Sequence, residues 1–551
     1  MKKLAALFLI LALLLGSTAF AGELSEYSKT IDSSVDYPVF WQKDISFPLV
    51  DSPVTIKVLF RRNASHPETF ENLWYVQHIA ALTNINFQFD LVEEGVWEDR
   101  KSLAFISNDY PDVFFANISA DDEILYGYEG KLIDLLPLIK EHAPNIMALY
   151  EAYPDVVKGT MHENGAIYVL PMISYAPRSA VPACTLVNQE WLTKLNAKLP
   201  TNTDELYALL KAMKETDLNG NGQADEIPLS FNATDKNGKP TNNFILYAFG
   251  FTDTEHDVID GKYVYVPAQD NYRAYLAFMN KLYTEKLLDN DYFTQDDTQL
   301  KAKLSAGLVG MPNQTMTALV ADYQNYVAVP ALTSPENPTA VWPETSINYQ
   351  RNVASMVITD KCPDPVAVIK YANYLVTTEA SLAARLGPSQ AESGDGYGYT
   401  YESTDGKHAF GATRQFPSEY ASYYMYRMSK TPMFLPAYIN PLVDDVVVGS
   451  DDKNNFQTKL WQDSGVYGVR RTVYALQSTL NDDETSELAY YLDLDNYATQ
   501  MRAKFITGEV ELNDANWNEY LGKLKAYGMD DMCAIRQAGY DRYVALPSTI
   551  K

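Results

Sequence analysis

Thr55-Ile56-Lys57-Val58-Leu59-Phe60 alternates like a half-buried strand, and Glu68 to Leu82 follows with Leu73, Val76 and Ala80 at helical spacing. Asn86 to Val92 alternates again through Phe87, Phe89 and Leu91. After the segment Trp97 to Ile106 comes Pro111-Asp112-Val113-Phe114-Phe115, a short apolar strand behind a turn. Strand, helix, strand, helix in that order predicts the α/β class, a mainly parallel sheet with helices on both faces. Ligands of such sheets bind beyond the carboxyl ends of the strands.

Outward from this block, a second run of α/β signals opens at Ala166-Ile167-Tyr168-Val169-Leu170-Pro171. Pro200 to Glu205 reads as a helix start, with Thr201 three before Asp204 and Asn202 three before Glu205. Leu206, Leu209, Leu210 and Met213 then form one apolar face. Another helix opens at Asp270 and runs through Tyr272, Leu276, Met279 and Tyr283, and helical stretches recur at Asp495 to Phe505 and Trp517 to Tyr527. Ser393 to Tyr401, rich in glycine and tyrosine, reads as a mobile surface loop. No internal repeat of fixed period is present in the sequence.

At the other end, Lys2 and Lys3 precede the apolar run Leu4 to Leu15 and the small-residue site Ala19-Phe20-Ala21, the three parts of a secretory signal peptide covering 1–21. The run is twelve residues, against the roughly 20 of a membrane-spanning helix. No cysteine precedes Cys184, so the leader is not expected to end in a lipid-modified cysteine. The expected product is freely soluble in the periplasm or outside the cell.

The 551 residues are 46% hydrophobic and 21% charged, an ordinary globular composition. With 44 Lys and Arg against 71 Asp and Glu, the formal charge of −27 repels phosphate backbones, so nucleic acid is not an expected partner. Cys184, Cys362 and Cys533 are too few and too scattered for a disulfide framework or a thiolate metal site, and their pairing stays open. No stretch reads G-x-S-x-G, H-E-x-x-H, C-x-x-C or G-x-x-x-x-G-K-[ST]. The six histidines lie at no helical metal-ligand spacing and read as surface or packing residues. A glycosidase carboxylate pair needs no local motif, so an enzyme stays open. The 40 Tyr, 22 Phe and 7 Trp supply flat apolar faces with polar edges, suited to sugars or peptides.

The sharpest local signal is Asp217-Leu218-Asn219-Gly220-Asn221-Gly222-Gln223-Ala224-Asp225-Glu226. Side-chain oxygens fall at positions 1, 3, 5 and 9, glycine at 6 permits a sharp turn, and Gln223 at 7 can offer its carbonyl, which is calcium-loop spacing. Position 12 is Pro228 where an EF-hand has a bidentate glutamate, and Glu226 at position 10 is placed to supply that carboxylate. The alternative is a plain Asn-Gly turn.

An ordered set of blocks resembles the extracellular solute-binding proteins of bacterial ABC importers, in the large oligosaccharide-binding branch that includes the alginate-binding proteins. The blocks are Asn108 to Val113, Gly130 to Leu135, Asn164 to Pro171, Glu190-Trp191-Leu192, Glu226 to Leu229, Leu282 to Asp289, Lys504 to Gly508, Trp517 to Tyr520 and Gln537 to Tyr543. The resemblance implies two α/β lobes joined by crossing segments that close around a sugar chain and deliver it to a membrane permease. It further implies structural Ca²⁺ held by Asp217, Asn219, Asn221, Gln223, Asp225 and Glu226, away from the sugar. The sequence departs from the family at Asn188-Gln189-Glu190, where relatives usually carry a basic residue and Asp, and in lacking a lipidated cysteine.

The expected division is 22–167 with about 339–405 as one lobe and 168–338 with about 406–551 as the other. Ligand residues are expected at the carboxyl ends of first-lobe strands (Arg61, Arg62, Asp109), just past a crossing strand (Tyr175, Arg178) and before the later crossing (Trp342). Arg61 and Arg178 together would favour an anionic sugar. The expected function is non-enzymatic capture of an oligosaccharide by a monomer serving a permease. A secreted glycoside hydrolase or lyase is the alternative, and a sensory or adhesion module is a third reading.

Overall fold

The computed structural model describes residues 45–115, 118–174, 185–234, 238–313, 325–345, 349–402, 410–420, 423–433, 435–439, 469–473, 479–547 and 549–550. The expected leader, Tyr175, Arg178 and Cys184 lie outside these residues.

Strand β1 (Val54–Arg62) leads into helix α1 (Trp74–Thr83), then β2 (Ile85–Glu93), α2 (Trp97–Ile106), β3 (Val113–Phe115), α3 (Ala120–Tyr128) and β4 (Val169–Ser174). β1 pairs in parallel with β2 along its whole length and with β3. Alternation divides the side chains between two faces. Val58, Phe60, Val113 and Phe115 enter one buried cluster with α1, while Leu59, Phe114 and Val169 enter another with Trp97 and Phe105 of α2. Both faces are thus covered, as the apolar runs require.

The chain then builds a second unit from β5 (Leu186–Asn188), α4 (Gln189–Leu195), α5 (Thr203–Lys214), β6 (Ile227–Ser230), the hairpin β7 (His256–Ile259) and β8 (Lys262–Tyr265), α6 (Asp270–Thr284), β9 (Val309–Pro312) and β10 (Tyr326–Ala328). β6 and β9 run parallel, while β5 and β10 run antiparallel. Gly310 in β9 is required by a close approach: a Cβ there would lie 2.7 Å from the Trp191 ring and 2.9 Å from Met213 Sδ.

After β11 (Val341–Thr345), β12 (Tyr349–Ile358) returns to the first sheet and inserts between β3 and β4, antiparallel to both. β13 (Gly398–Glu402) and β14 (Phe410–Gln415) form a hairpin, and β15 (Tyr438–Ile439) adds to the edge of the first sheet. The first sheet has the order β15-β4-β12-β3-β1-β2. It is mixed because β12 arrives from the far side, after the excursion through the second unit. β16 (Val469–Val473) pairs with β11, and α7 (Leu492–Thr507), α8 (Asp514–Ala526) and α9 (Met529–Ala545) close the second unit. None of the helices in the described residues is long and apolar enough to cross a membrane.

Two large buried cores result. One draws on residues from Leu49 to Ile173 and from Met356 to Tyr438, the other from Leu186 to Trp342 and from Leu494 to Tyr543. Several sequence expectations shift accordingly. Leu170 to Ile173 and Tyr423 to Tyr438 pack in the first core, not in the lobe assigned to them, because β4 belongs to the first sheet and the tyrosine-rich 423–438 stretch has no composition to set it apart. Ser393 to Tyr401 is not simply a surface loop, since β13 is paired and Tyr399 is buried in the first core. Helix α1 starts at Trp74, not Glu68. Its first turn has no side-chain cap, and the Tyr75 N–H is instead satisfied by the distant carbonyl of Lys430.

Candidate functional site

β1 and β2 end together, so their full parallel register sets Arg61 beside Val92 and Arg62 beside Glu93. Arg61 Nη1 donates to Glu94 Oε1 at 2.6 Å. Arg62 pairs with Glu93 and also donates to the carbonyl oxygens of His66 and Pro67. Both guanidinium groups at this carboxyl edge are therefore already engaged by carboxylates, which weakens the expectation of a paired-arginine receptor for an anionic sugar. Asp109 is exposed, but it lies before β3, at that strand's amino end. It belongs to the opposite edge of the sheet from Arg61 and Arg62, a placement that strand boundaries alone decide.

Trp342 does not offer a stacking face. It is 3% exposed in the second core, with its ring 5.2 Å from that of Tyr247 in a T-shaped contact. Its strand, β11, is paired with β16, a partnership from a distant part of the chain. Tyr175 and Arg178 remain outside the described residues, so the expected set is brought together only at Arg61 and Arg62.

His66, just beyond β1, is a packing residue, as read from the sequence. Nδ1 accepts from the backbone N–H of Asn63 at 3.1 Å and Nε2–H donates to the Pro432 carbonyl at 3.0 Å, which fixes the neutral tautomer. Burial between Phe60 and Phe70 lowers its pKa to about 4. The unfolded chain, titrating near the ordinary value of 6.5, binds the extra proton first. This contribution to stability is complete above pH 6.5 and is lost as pH falls toward 4. Melting temperatures measured across that window should fall with acidity, and His66→Gln should flatten the profile; an unchanged slope would refute the assignment.

The loop 217–226 joins α5 to β6. At the start of α5 Asn202 is the N-cap, accepting from Glu205 N at 2.9 Å, while Glu205 Oε2 accepts from Thr201 N and Oγ. Gly220 and Gly222 adopt φ of +77° and +76°, left-handed values that favour glycine. Asp217 Oδ1 and Oδ2 accept from Gly220 N (2.7 Å) and Gly222 N (2.9 Å). Asp225 accepts from the side-chain amides of Asn219 and Asn221, both at 2.9 Å, and these two amides hold its pKa below the usual range. Glu226 is fully buried. Its Oε1 accepts from Leu218 N (2.7 Å) and Asn219 N (3.3 Å), whereas Oε2 is buried without a hydrogen-bond partner. A half-satisfied buried carboxylate beside a ring of side-chain oxygens is the donor chemistry of a hard cation. Outside the loop, Lys194 Nζ donates to Leu218 O (2.5 Å) and Lys214 Nζ to Glu226 O (2.7 Å), pinning both ends to the neighbouring helices.

Sequence reading missed one cluster. Glu255, His256 and Asp495 each place a ligand-capable atom within 4.8 Å of the others, a convergence of the β7–β8 hairpin with α7. Burial, with Arg536 nearby, lowers the His256 pKa to about 4. No spacing signals such a group, because its members come together only in the fold.

Comparison with known proteins follows the same lines. A profile described as bacterial extracellular solute-binding protein matches residues 64–381. The fructooligosaccharide ABC transporter substrate-binding protein FusA of Streptococcus pneumoniae is 24% identical over 539 residues, covering 94% of this chain and 95% of that protein. The FusA structure in complex with kestose superposes with a TM-score of 0.68 at 22% identity, covering 89% of this chain and 100% of FusA. FusA has also been solved as an EF-hand mutant, with TM-score 0.65 and the same coverage. An HMO-binding ABC-transporter-associated solute-binding protein from Bifidobacterium longum infantis gives a TM-score of 0.71 at 19% identity, covering 90% and 99% of the two chains. The alginate-binding protein AlgQ2, solved without calcium ion, gives 0.64 at 20% identity, again covering 90% and 99%. These likenesses establish the mixed α/β fold over nearly the whole length.

Proposed function

Because this chain belongs to the bacterial extracellular solute-binding proteins, we propose that it captures an oligosaccharide between its two lobes and hands it to the permease of an ABC importer, without cleaving it. The observation that carries this reading is end-to-end likeness: FusA, matched over 94% of this chain, is named for fructooligosaccharide binding. Two separate cores, with the chain leaving the first after β4 and returning to it at β12, supply the mechanical basis, since each lobe can move as a packed body. Sugar binding to residues on both lobes stabilises the closed arrangement only by the difference in affinity between closed and open states.

Engagement of Arg61 by Glu94 and of Arg62 by Glu93 favours a neutral oligosaccharide over a uronate. The leader-like sequence 1–21, which ends in no cysteine, supports export as a soluble protein to the periplasm or the exterior. Asp217, Asn219, Asn221, Gln223, Asp225 and Glu226 would hold Ca²⁺. The ion would supply charge neutralisation and cross-linking of the loop, and Glu226 Oε2 is the buried atom it would satisfy.

A thermal-shift screen of residues 22–551 against neutral, acidic and amino oligosaccharides tests the cargo. A ligand at a hundred times its dissociation constant adds about 2.7 kcal/mol of stability. The expected result is a clear upward shift with neutral oligosaccharides, which chromatography then recovers intact. Shortened products would establish the hydrolase or lyase instead, and a shift confined to acidic sugars would overturn the neutral assignment.

A further inference from the structure

We propose that Glu255, His256 and Asp495 form a second cation site, selective for a divalent transition metal ion of the zinc class, which ties the β7–β8 hairpin to α7. This inference does not depend on the identity of the transported solute. It also differs in chemistry from the 217–226 loop, which offers oxygen ligands alone.

The orientation of the two better-defined ligands carries the proposal. His256 Nδ1 lies 2.5 Å from Tyr263 Oη, and the same hydroxyl has a second acceptor, Met532 Sδ, at 3.4 Å. A metal ion at Nε2 selects the tautomer in which Nδ1–H donates to Tyr263 Oη and the hydroxyl hydrogen turns to Met532 Sδ, which leaves the ring lone pair on Nε2. Across from Nε2, at 3.9 Å, stands Asp495 Oδ2. The other oxygen of that carboxylate, Oδ1, accepts from Tyr265 Oη at 2.8 Å. In that tautomer two acceptors face each other at a separation beyond hydrogen-bonding range, each held from behind by a tyrosine of the β8 strand. Glu255 brings a third acceptor within 4.8 Å of both.

Outer-shell hydroxyls that fix the tautomer of a histidine and the rotamer of a carboxylate are the usual support of a metal ligand. Zinc bonds nitrogen and oxygen at about 2.0–2.2 Å, so tetrahedral ligands sit roughly 3.4 Å apart. Closing the 3.9 Å gap requires a movement of about half an ångström. One nitrogen and two carboxylate oxygens, with a water in the remaining position, form a set that zinc accepts. The surrounding charge permits a dication: Asp253 adds a third carboxylate, against the cations Arg536 and Lys239. Glu255, His256 and Asp495 are all only partly buried, which leaves the ion a route in from solvent.

The test is calorimetric titration of Zn²⁺ into the full mature chain, stripped with chelator and then saturated with Ca²⁺ so that the loop at 217–226 is occupied. One zinc per chain is expected. His256→Gln and Asp495→Asn should each weaken it at least tenfold, Tyr263→Phe should weaken it less, and Asp217→Asn should leave it unchanged. Failure of the wild-type chain to bind Zn²⁺ at micromolar concentration would overturn the proposal. So would binding that His256→Gln and Asp495→Asn both leave intact, which would place the ion elsewhere. If either variant does not fold, X-ray absorption of the zinc-loaded wild-type chain decides: a first shell with one imidazole nitrogen supports the site, and a shell of oxygen alone overturns it.

Discussion

Withdrawal of calcium with a calcium-selective chelator should lower the melting temperature of this protein, and Glu226→Gln should erase the difference between the calcium and chelator conditions. Asp217, Asp225 and Glu226 place three carboxylates in ten residues, and Glu226 is fully buried with one oxygen lacking any hydrogen bond. Such an atom carries an uncompensated desolvation cost unless a cation meets it. An ion at a hundred times its dissociation constant contributes about 2.7 kcal/mol. At about 2–4 °C per kcal/mol for a unit of lobe size, the expected fall is about 5–10 °C. Glutamine keeps the shape and an acceptor for Leu218 N, so the variant isolates the charge that the ion requires. Identical melting with calcium and with chelator would return the segment to being a turn held by its own Asx hydrogen bonds.

The second large effect concerns Glu123 and His162. Both side chains are fully buried, and Glu123 Oε2 lies 2.9 Å from His162 Nε2. Glu123 is held in α3, whose first turn is a capping box of Ser119 and Asp122, and the His162 ring lies 5.2 Å from that of Tyr168, just before β4. One turn further along α3, Gly127 lets that tyrosine approach: a Cβ there would sit 2.6 Å from the Tyr168 ring. Removing one member of a buried pair strands the other, at a cost of about 3–5 kcal/mol. Urea unfolding of Glu123→Leu and of His162→Leu should each show that loss, and the double variant should lose less than the two together. Single variants within about 1 kcal/mol of wild type would mean the pair contributes no more than an exposed one does.

Legibility in the sequence followed the range of the interactions. Strands β1 and β2, the Asn202 cap of α5 and the geometry of the 217–226 loop all depend on residues close in the chain, and each was readable from spacing. The α1 start was not, because the group that satisfies its first turn belongs to Lys430. Arg61 and Arg62 were placed correctly at the strand end, but their neutralisation by Glu94 and Glu93 follows from the β1–β2 register. Asp109 precedes β3, read as Pro111 to Phe115 and observed from Val113, so the parallel register with β1 puts it at the amino edge of the sheet. Trp342 is expected at the cleft before the later crossing, yet its strand pairs with Val469–Val473 and its side chain is buried in the second core. His256 and Asp495 lie on a hairpin and a distant helix, and local periodicity contains nothing that joins them.

The insertion of β12 between β3 and β4 bears on how the polypeptide is made. At the ribosome, β1, β2 and β3 emerge early, but the strand that links them to β4 ends only at Ile358. Until then the first sheet exists as two unjoined pieces, with the whole stretch from Leu186 to Trp342 synthesised in between. The second core is likewise unfinished until α9 is complete at Ala545. Neither half can settle while the nascent chain is short, so neither has a native body until most of the polypeptide has been made. No single cut in the gene leaves both lobes whole, because the residues of the first core span Leu49 to Tyr438 and those of the second span Leu186 to Tyr543.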